Sequence, residues 1–120
     1  AFFASKSKLV YLAPEAALRL FESAGVGRAE GLEVLLPLAE GTLANVRSVG
    51  IPAALTGPVE RGDAETVRRH AEALRDRAPE LEGAYAALAR LAIETARAKG
   101  SIDADAAGRL EEALGGAGVS

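Results

Sequence analysis

Apolar side chains recur along this chain of 120 residues at spacings of three and four, and no stretch alternates apolar with polar in the manner of a strand. A pattern of that period buries itself as helix against helix. The expected fold is an all-α bundle of about five helices, forming one helical domain over residues 1–120. Alanine and leucine carry the pattern, and aromatic residues make up only 4% of the chain, so each buried position removes little area from water. A bundle of such small side chains is expected to need further burial against a partner chain or another domain.

Glycines and prolines set the expected boundaries. A first apolar stripe runs through Leu9, Ala13, Ala16, Leu20 and Ala24, with Val10, Ala17 and Phe21 beside it. Pro14 is expected to kink or split this helix near Leu12, and Gly25 and Gly27 to end it. A second helix is expected over 28–48, with Leu32, Leu35, Leu36, Ala39, Leu43 and Val46 inward and a bend at Pro37. Gly50 and Pro52 close it, and a loop over 49–62 follows. The third helix starts from Asp63 as N-cap, carries Glu65 in its first turn, and buries Val67, Ala71, Leu74 and Ala78. Pro79 reads as the first position of a fourth helix reaching residue 99, with Leu81, Tyr85, Leu88 and Ala92 on its apolar side and Gly83 permitting close helix approach. A short fifth helix over 103–114 turns Leu110 and Leu114 inward, and 115–120 reads as a frayed tail.

Charge and residue usage exclude several classes of function. A net charge of −3 argues against a nucleic-acid-binding surface. With no cysteine and one histidine, the chain has no disulfide framework, zinc finger or thiol nucleophile, and no metal site is expected. No apolar run approaches the roughly 20 residues that span a bilayer, and no secretory pattern opens the chain. A cytoplasmic protein without membrane or nucleic-acid partners is therefore expected. The chain opens Ala1-Phe2-Phe3 and contains no methionine, so it is expected to be a processed product or a piece of a longer protein.

Most motifs have plain structural explanations. Gly25-x-Gly27 is followed by Glu30 where a dinucleotide-binding turn has its third glycine, and it follows a helix rather than a strand, so it reads as a helix C-cap. The third helix interleaves Arg68, Arg69, Arg75 and Arg77 with Glu72 and Asp76 at helical spacing, the mark of a solvated, ion-paired face. Glu111 and Glu112 read as surface charges, and Lys6 and Lys8 as solvent-facing positions. His70 has two readings: a half-packed boundary side chain, or a cleft residue that donates a hydrogen bond or moves a proton. The run Leu55-Thr56-Gly57-Pro58-Val59-Glu60-Arg61-Gly62-Asp63 is of another kind. Gly57-Pro58 forces a turn, Gly62 permits unusual dihedrals, Thr56 offers a hydroxyl and Arg61 a cation beside exposed amides. So many specialised residues in succession point to contact with a ligand or a neighbouring domain.

This same run, with Thr66-Val67 and Arg69-His70 after it, resembles the signature of the domain catalogued as domain of unknown function 2520, the C-terminal domain of Rossmann-like proteins. Leu20-Phe21-Glu22-Ser23-Ala24-Gly25, Leu35-Leu36-Pro37-Leu38, Thr42-Leu43-Ala44-Asn45 and Tyr85-x-x-Leu88-Ala89 fit the same family, over roughly residues 9–98. The resemblance implies a helical domain like that at the C-terminus of 6-phosphogluconate dehydrogenase. It would follow an N-terminal domain able to bind NAD(P), dimerise, and close one side of a cleft over the nicotinamide. Thr56, Gly57, Pro58, Arg61, His70 and Asn45 are then the substrate-cleft candidates. Lys8, following Ser7, stands where such proteins often carry a small polar residue, which weakens any substrate role for that pair. The chain itself holds no dinucleotide-binding turn. NAD(P) is expected only with the missing N-terminal domain, and this chain alone is expected to bind no cofactor and to be inactive.

Two functional expectations follow. One is the helical half of an NAD(P)-dependent oxidoreductase, supplying a substrate wall and a homodimer interface, with Arg61 binding an anionic group and Thr56 or His70 a reacting oxygen. The other is a non-catalytic self-association module, using the apolar face of the first helix with Phe2, Phe3, Leu9 and Phe21.

Overall fold

The structure is a computed structural model that describes residues 2–115, with side chains from position 10 onward. Expectations resting on the side chains of Phe2, Phe3, Lys6, Ser7, Lys8 and Leu9, and on the tail at 116–120, lie outside the described residues. The elements are α1 (Phe2–Ser23), α2 (Arg28–Ala54), α3 (Ala64–Arg77), a 3-10 turn (Pro79–Leu81), α4 (Glu82–Ala98) and α5 (Ala104–Ala113). No strand occurs among the described residues, and no helix among them is long and apolar enough to cross a membrane. Among the described residues the all-helical, five-helix reading holds. By contact the chain divides into two compact units, Ala1–Leu43 and Ala44–Ser120.

The first unit is a helical hairpin. Val26 donates its N–H to the Phe21 carbonyl at 2.9 Å, and Gly31 donates to that of Gly27 at 2.8 Å, so the turn at Gly25 closes on itself. Gly31 is buried because the helices meet there: a Cβ at this position would lie 2.9 Å from Phe21 Cδ2 and 3.3 Å from Leu18 Cδ2. Across the turn Arg28 pairs with both Glu15 and Glu22, while Arg19 bonds Glu15 at 3.1 Å. The Arg19 hydrogen bond, reinforced by Arg28, holds the Glu15 carboxyl below the usual carboxylate range. α1 runs through Pro14 as one helix rather than splitting near Leu12. More than two turns of helix lie on each side of the missing N–H, and a single lost bond does not end them. Leu32, Leu36 and Leu43 of α2, expected inward, are exposed, as are Ala13, Leu20 and Ala24 of α1. A two-helix hairpin has one internal seam, and the stripes assigned from the sequence are wider than that seam.

In α2 the helical dihedrals break at Gly50 (φ 83°, ψ 166°), and Pro37 lies within the helix. A helix interrupted by the positive φ of glycine resumes for one more turn, which Pro52 enters without needing its absent N–H. Residues 51–54, expected as loop, are therefore helical, and Leu55 N–H closes the turn on the Ile51 carbonyl at 3.0 Å.

The second unit holds the core. α3, α4 and α5 pack on one another, with Val67, Leu74, Ile93, Ile102, Leu110 and Leu114 as its larger buried side chains and alanines such as Ala71, Ala96 and Ala107 between them. Asp63 caps α3 as expected: its Oδ1 accepts from Thr66 N–H at 3.1 Å and its Oδ2 from the Thr66 hydroxyl at 2.7 Å. Asp103 caps α5 in the same way, accepting from Ala106 N–H at 2.8 Å. Pro79 opens the 3-10 turn ahead of α4. The expected α3 stripe (Val67, Ala71, Leu74, Ala78) is buried throughout, and its arginines face solvent. Gly83 does not mediate close approach, since a Cβ there would meet nothing within 4 Å. The α4 stripe is also displaced: Ala86, Ala89, Ile93 and Ala96 are the buried face, whereas Leu88 is 60% exposed. Alanine is small enough for α4 to lie close against α3 and α5, and this displaces the larger Tyr85 and Leu88 to the flank.

Candidate functional site

That flank of α4 borders a cleft of about 290 Å³ in the second unit. The loop after α2 supplies one wall through Leu55, Thr56, Pro58 and Val59. Val67 and His70 of α3 supply a second, and Tyr85, Leu88, Ala89 and Ala92 of α4 a third. The lining is mainly apolar, with the Thr56 hydroxyl, the His70 ring and the Tyr85 phenol as its polar groups. Small-molecule sites commonly combine an apolar body with a few such groups, and this volume lies at the lower end of their range.

The loop wall is held by its own backbone and by three neighbours. Arg61 N–H donates to the Gly57 carbonyl at 3.2 Å, Gly62 N–H to Val59 at 3.0 Å, and Asp63 N–H to Pro58 at 2.8 Å. Gly57 and Gly62 take φ of 102° and 71°, values that an L side chain rarely adopts, so glycine is what lets the corner close. A Cβ on Gly62 would lie 3.6 Å from Ile102 and from Ala106, which shows how closely the corner rests on α5. The third neighbour is Lys99, just past the end of α4. Its Nζ donates to the carbonyls of Pro52 at 2.7 Å and Leu55 at 3.2 Å and lies 3.6 Å from Glu60 Oε2. The ammonium thus occupies the electronegative end of the last turn of α2.

His70 of α3 and Tyr85 of α4 meet in the lining of the cleft. The Tyr85 hydroxyl lies 3.4 Å from His70 Nδ1, and the rings stand edge to face with centroids 6.3 Å apart. Burial pushes the Tyr85 phenol above its ordinary pKa, so the hydroxyl keeps its proton at neutral pH.

Of the sequence-derived candidates, the structure brings Thr56, Pro58 and His70 into one cleft, and Gly57 shapes the corner without lining it. Arg61 is not among the lining residues: its side chain is 59% exposed, with a terminal nitrogen 3.9 Å from Asp63 Oδ2. Asn45 is exposed on α2 and does not line the cleft either. Two residues that matter here, Tyr85 and Lys99, were not singled out as site residues from the sequence. Tyr85 sits in the apolar stripe of α4, where a phenol is indistinguishable from a packing side chain. Lys99 follows a run of helix with no pattern linking it to a loop more than forty positions earlier. No three His, Cys, Asp or Glu side chains gather into a possible metal site among the described residues.

The family model for a domain of unknown function (DUF2520) matches residues 2–92. The chain belongs to that family. The DUF2520 match contains the whole cleft and every sequence-derived candidate, and it ends before Lys99 and α5, which hold the loop from behind. No curated protein and no solved structure matches the chain.

Proposed function

We propose that this DUF2520 domain forms one wall of a substrate cleft in an NAD(P)-dependent oxidoreductase, the dinucleotide and the hydride chemistry being supplied by a separate N-terminal domain. The observation that carries this reading is the convergence of Thr56, His70 and Tyr85 on one small apolar cleft, reached from a loop and two helices. A wall of this kind binds and orients the reacting molecule and excludes water, and the cofactor carries the redox step. Thr56 and His70 are the residues proposed to hydrogen-bond the substrate. Because Arg61 lies outside the lining, no anion-binding role in the cleft is assigned to it.

Self-association is part of the same proposal. α1 and α2 leave Val10, Tyr11, Leu12, Leu36, Leu38 and Leu43 exposed, and a groove of about 420 Å³ within the first unit is lined by Val10, Pro14, Leu35 and Leu38 among others. Apolar surface on this scale favours cover by another protein surface, and a homodimer is the proposed cover.

The test uses the gene product that includes the residues upstream of this chain. A glycine-rich strand-turn-helix is expected there, with saturable NADPH binding and NADPH oxidation by a member of a panel of small ketones and cyclic imines. Thr56→Val and His70→Gln should lower kcat/KM about tenfold, the scale of one lost hydrogen bond to a reacting group, and leave NADPH affinity unchanged. An upstream region without such a motif, or variants with unaltered kcat/KM, would overturn the substrate-wall reading. Sedimentation velocity reporting a monomer at micromolar concentration would overturn the dimer.

A further inference from the structure

We infer that the cleft selects an uncharged carbonyl compound with an apolar body, and that the Tyr85–His70 pair supplies the hydrogen bond that recognises its oxygen. This deepens the substrate-wall reading and rests on it for the placement of the site.

The lining contains no lysine, arginine, aspartate or glutamate. A phosphate or carboxylate entering such a cleft would give up part of its hydration without meeting a pairing lysine or arginine, and burying an unpaired charge is costly. The arginine that the loop does carry, Arg61, is directed to Asp63 and is not in the wall. A volume of about 290 Å³ gives room for roughly ten heavy atoms at the space one water takes in the liquid. Leu55, Pro58, Val59, Leu88 and Ala92 make that room apolar. A ligand with a compact hydrocarbon body fits this space, provided that its polar end meets the few hydrogen-bonding groups of the walls.

The polar end is defined by the chemistry of the pair. We assign Tyr85 Oη as the donor and His70 Nδ1 as the acceptor across their 3.4 Å separation, since a phenol is a better hydrogen-bond donor than an imidazole N–H. A ring that accepts at Nδ1 carries its proton on Nε2. Tyr85 is the only hydrogen-bond partner of the His70 ring among the described residues, which leaves Nε2–H as an available donor. Thr56, also in the lining, can donate or accept. A carbonyl oxygen accepts from Nε2–H without bringing a charge, as the lining requires.

The experiment is a titration of the full chain, uniformly labelled with nitrogen-15, against three probes of one shape and rising charge: phenylacetamide, phenylacetate and phenyl phosphate. Phenylacetamide should bind with millimolar affinity, as its size dictates, and shift the amide signals of Thr56, Val59, His70 and Tyr85. Phenyl phosphate should bind at least tenfold more weakly. The long-range nitrogen-15 spectrum of His70 should show the Nε2–H tautomer at a pH where the ring is neutral. Tyr85→Phe should weaken phenylacetamide about fivefold, the scale of one hydrogen bond, and release the ring into a mixture of tautomers. Tighter binding of phenyl phosphate, shifts confined to another surface, or an Nδ1–H tautomer in the wild-type chain would each overturn the inference. The charge series and the tautomer are read on the wild-type chain, so neither depends on a variant that folds. No dinucleotide enters the titration. A preference for the phosphate therefore sinks the ligand class and leaves the substrate-wall reading intact, whereas an upstream region without a nucleotide-binding motif does the reverse.

Discussion

Replacing Lys99 with methionine removes a side chain that ties the end of α4 to the loop wall of the cleft. The lysine makes two hydrogen bonds to main-chain carbonyls, 2.7 Å to Pro52 and 3.2 Å to Leu55, with the Glu60 carboxylate at 3.6 Å. Hydrogen bonds to a charged donor contribute about 1.5–3 kcal/mol each when buried. Pro52 is exposed and its carbonyl can be rehydrated, so that bond counts for little. The Leu55 bond is partly buried, and the Lys99 side chain is only 19% exposed, so its share lies near the lower buried figure. Methionine keeps the packing of the aliphatic stem. A net loss of about 2 kcal/mol is expected for Lys99→Met, measured as a lower midpoint in urea at unchanged slope. Glu60→Gln should cost less than 1 kcal/mol alone, and its cost should shrink further in the Lys99→Met background because the pair is already broken. Amide hydrogen exchange at Leu55 should speed up in Lys99→Met more than in the core of α3. A variant within about 0.5 kcal/mol of wild type, with exchange at Leu55 unaltered, would refute the view that Lys99 holds this wall.

Three further outcomes follow from the packing. Leu110 is fully buried between α3, α4 and α5, so Leu110→Ala should cost about 2–5 kcal/mol in denaturant unfolding. A cost under 1 kcal/mol would mean that α5 is not part of the core. In α2 the glycines should separate by environment: Gly41→Ala, with nothing within 4 Å, should stabilise by up to about 1 kcal/mol. Gly31→Ala, whose Cβ would meet Phe21 at 2.9 Å, should give no gain or a net loss in the same thermal melt. Asp63 has its pKa lowered by the Thr66 hydroxyl and amide, so its folded value lies below its unfolded one. Its contribution is therefore present above the unfolded pKa and lost as pH falls through the folded value. Asp63→Asn should flatten that part of the acid unfolding curve, and an unchanged curve would show that the cap is not coupled to folding.

Much of the fold was legible because its signals are local. The Asp63 cap, the α3 stripe, Pro79 as a start and Leu110 with Leu114 as anchors depend on residues a few positions apart, and the structure places them as those local signals imply. What failed depended on depth. The sequence cannot say which of two adjacent stripes on α4 is buried, and the closely packed alanine face took the core while Tyr85 and Leu88 went to the cleft. In α1 and α2, leucines alone could not reveal how many neighbours would cover them. Gly50 interrupts α2 through a positive φ that glycine adopts readily, and a lone glycine in the sequence does not announce that conformation. At the candidate site, turn chemistry drew attention to the loop that carries Thr56 and Pro58, and the family resemblance added His70; all three line the cleft. Lys99 was not legible, since its partners lie at Pro52 and Leu55 and only the folded chain brings them together.

The convergence of the loop and two helices on one cleft can be measured most directly by nuclear Overhauser contacts in the full chain. Cross-peaks from the Val59 methyls and Pro58 ring protons to the aromatic protons of His70 and Tyr85 are the predicted result, persisting at concentrations from tens to hundreds of micromolar. Well-resolved spectra in which the loop protons contact neither ring would contradict the shared cleft and, with it, both the proposed substrate wall and the ligand class assigned to it.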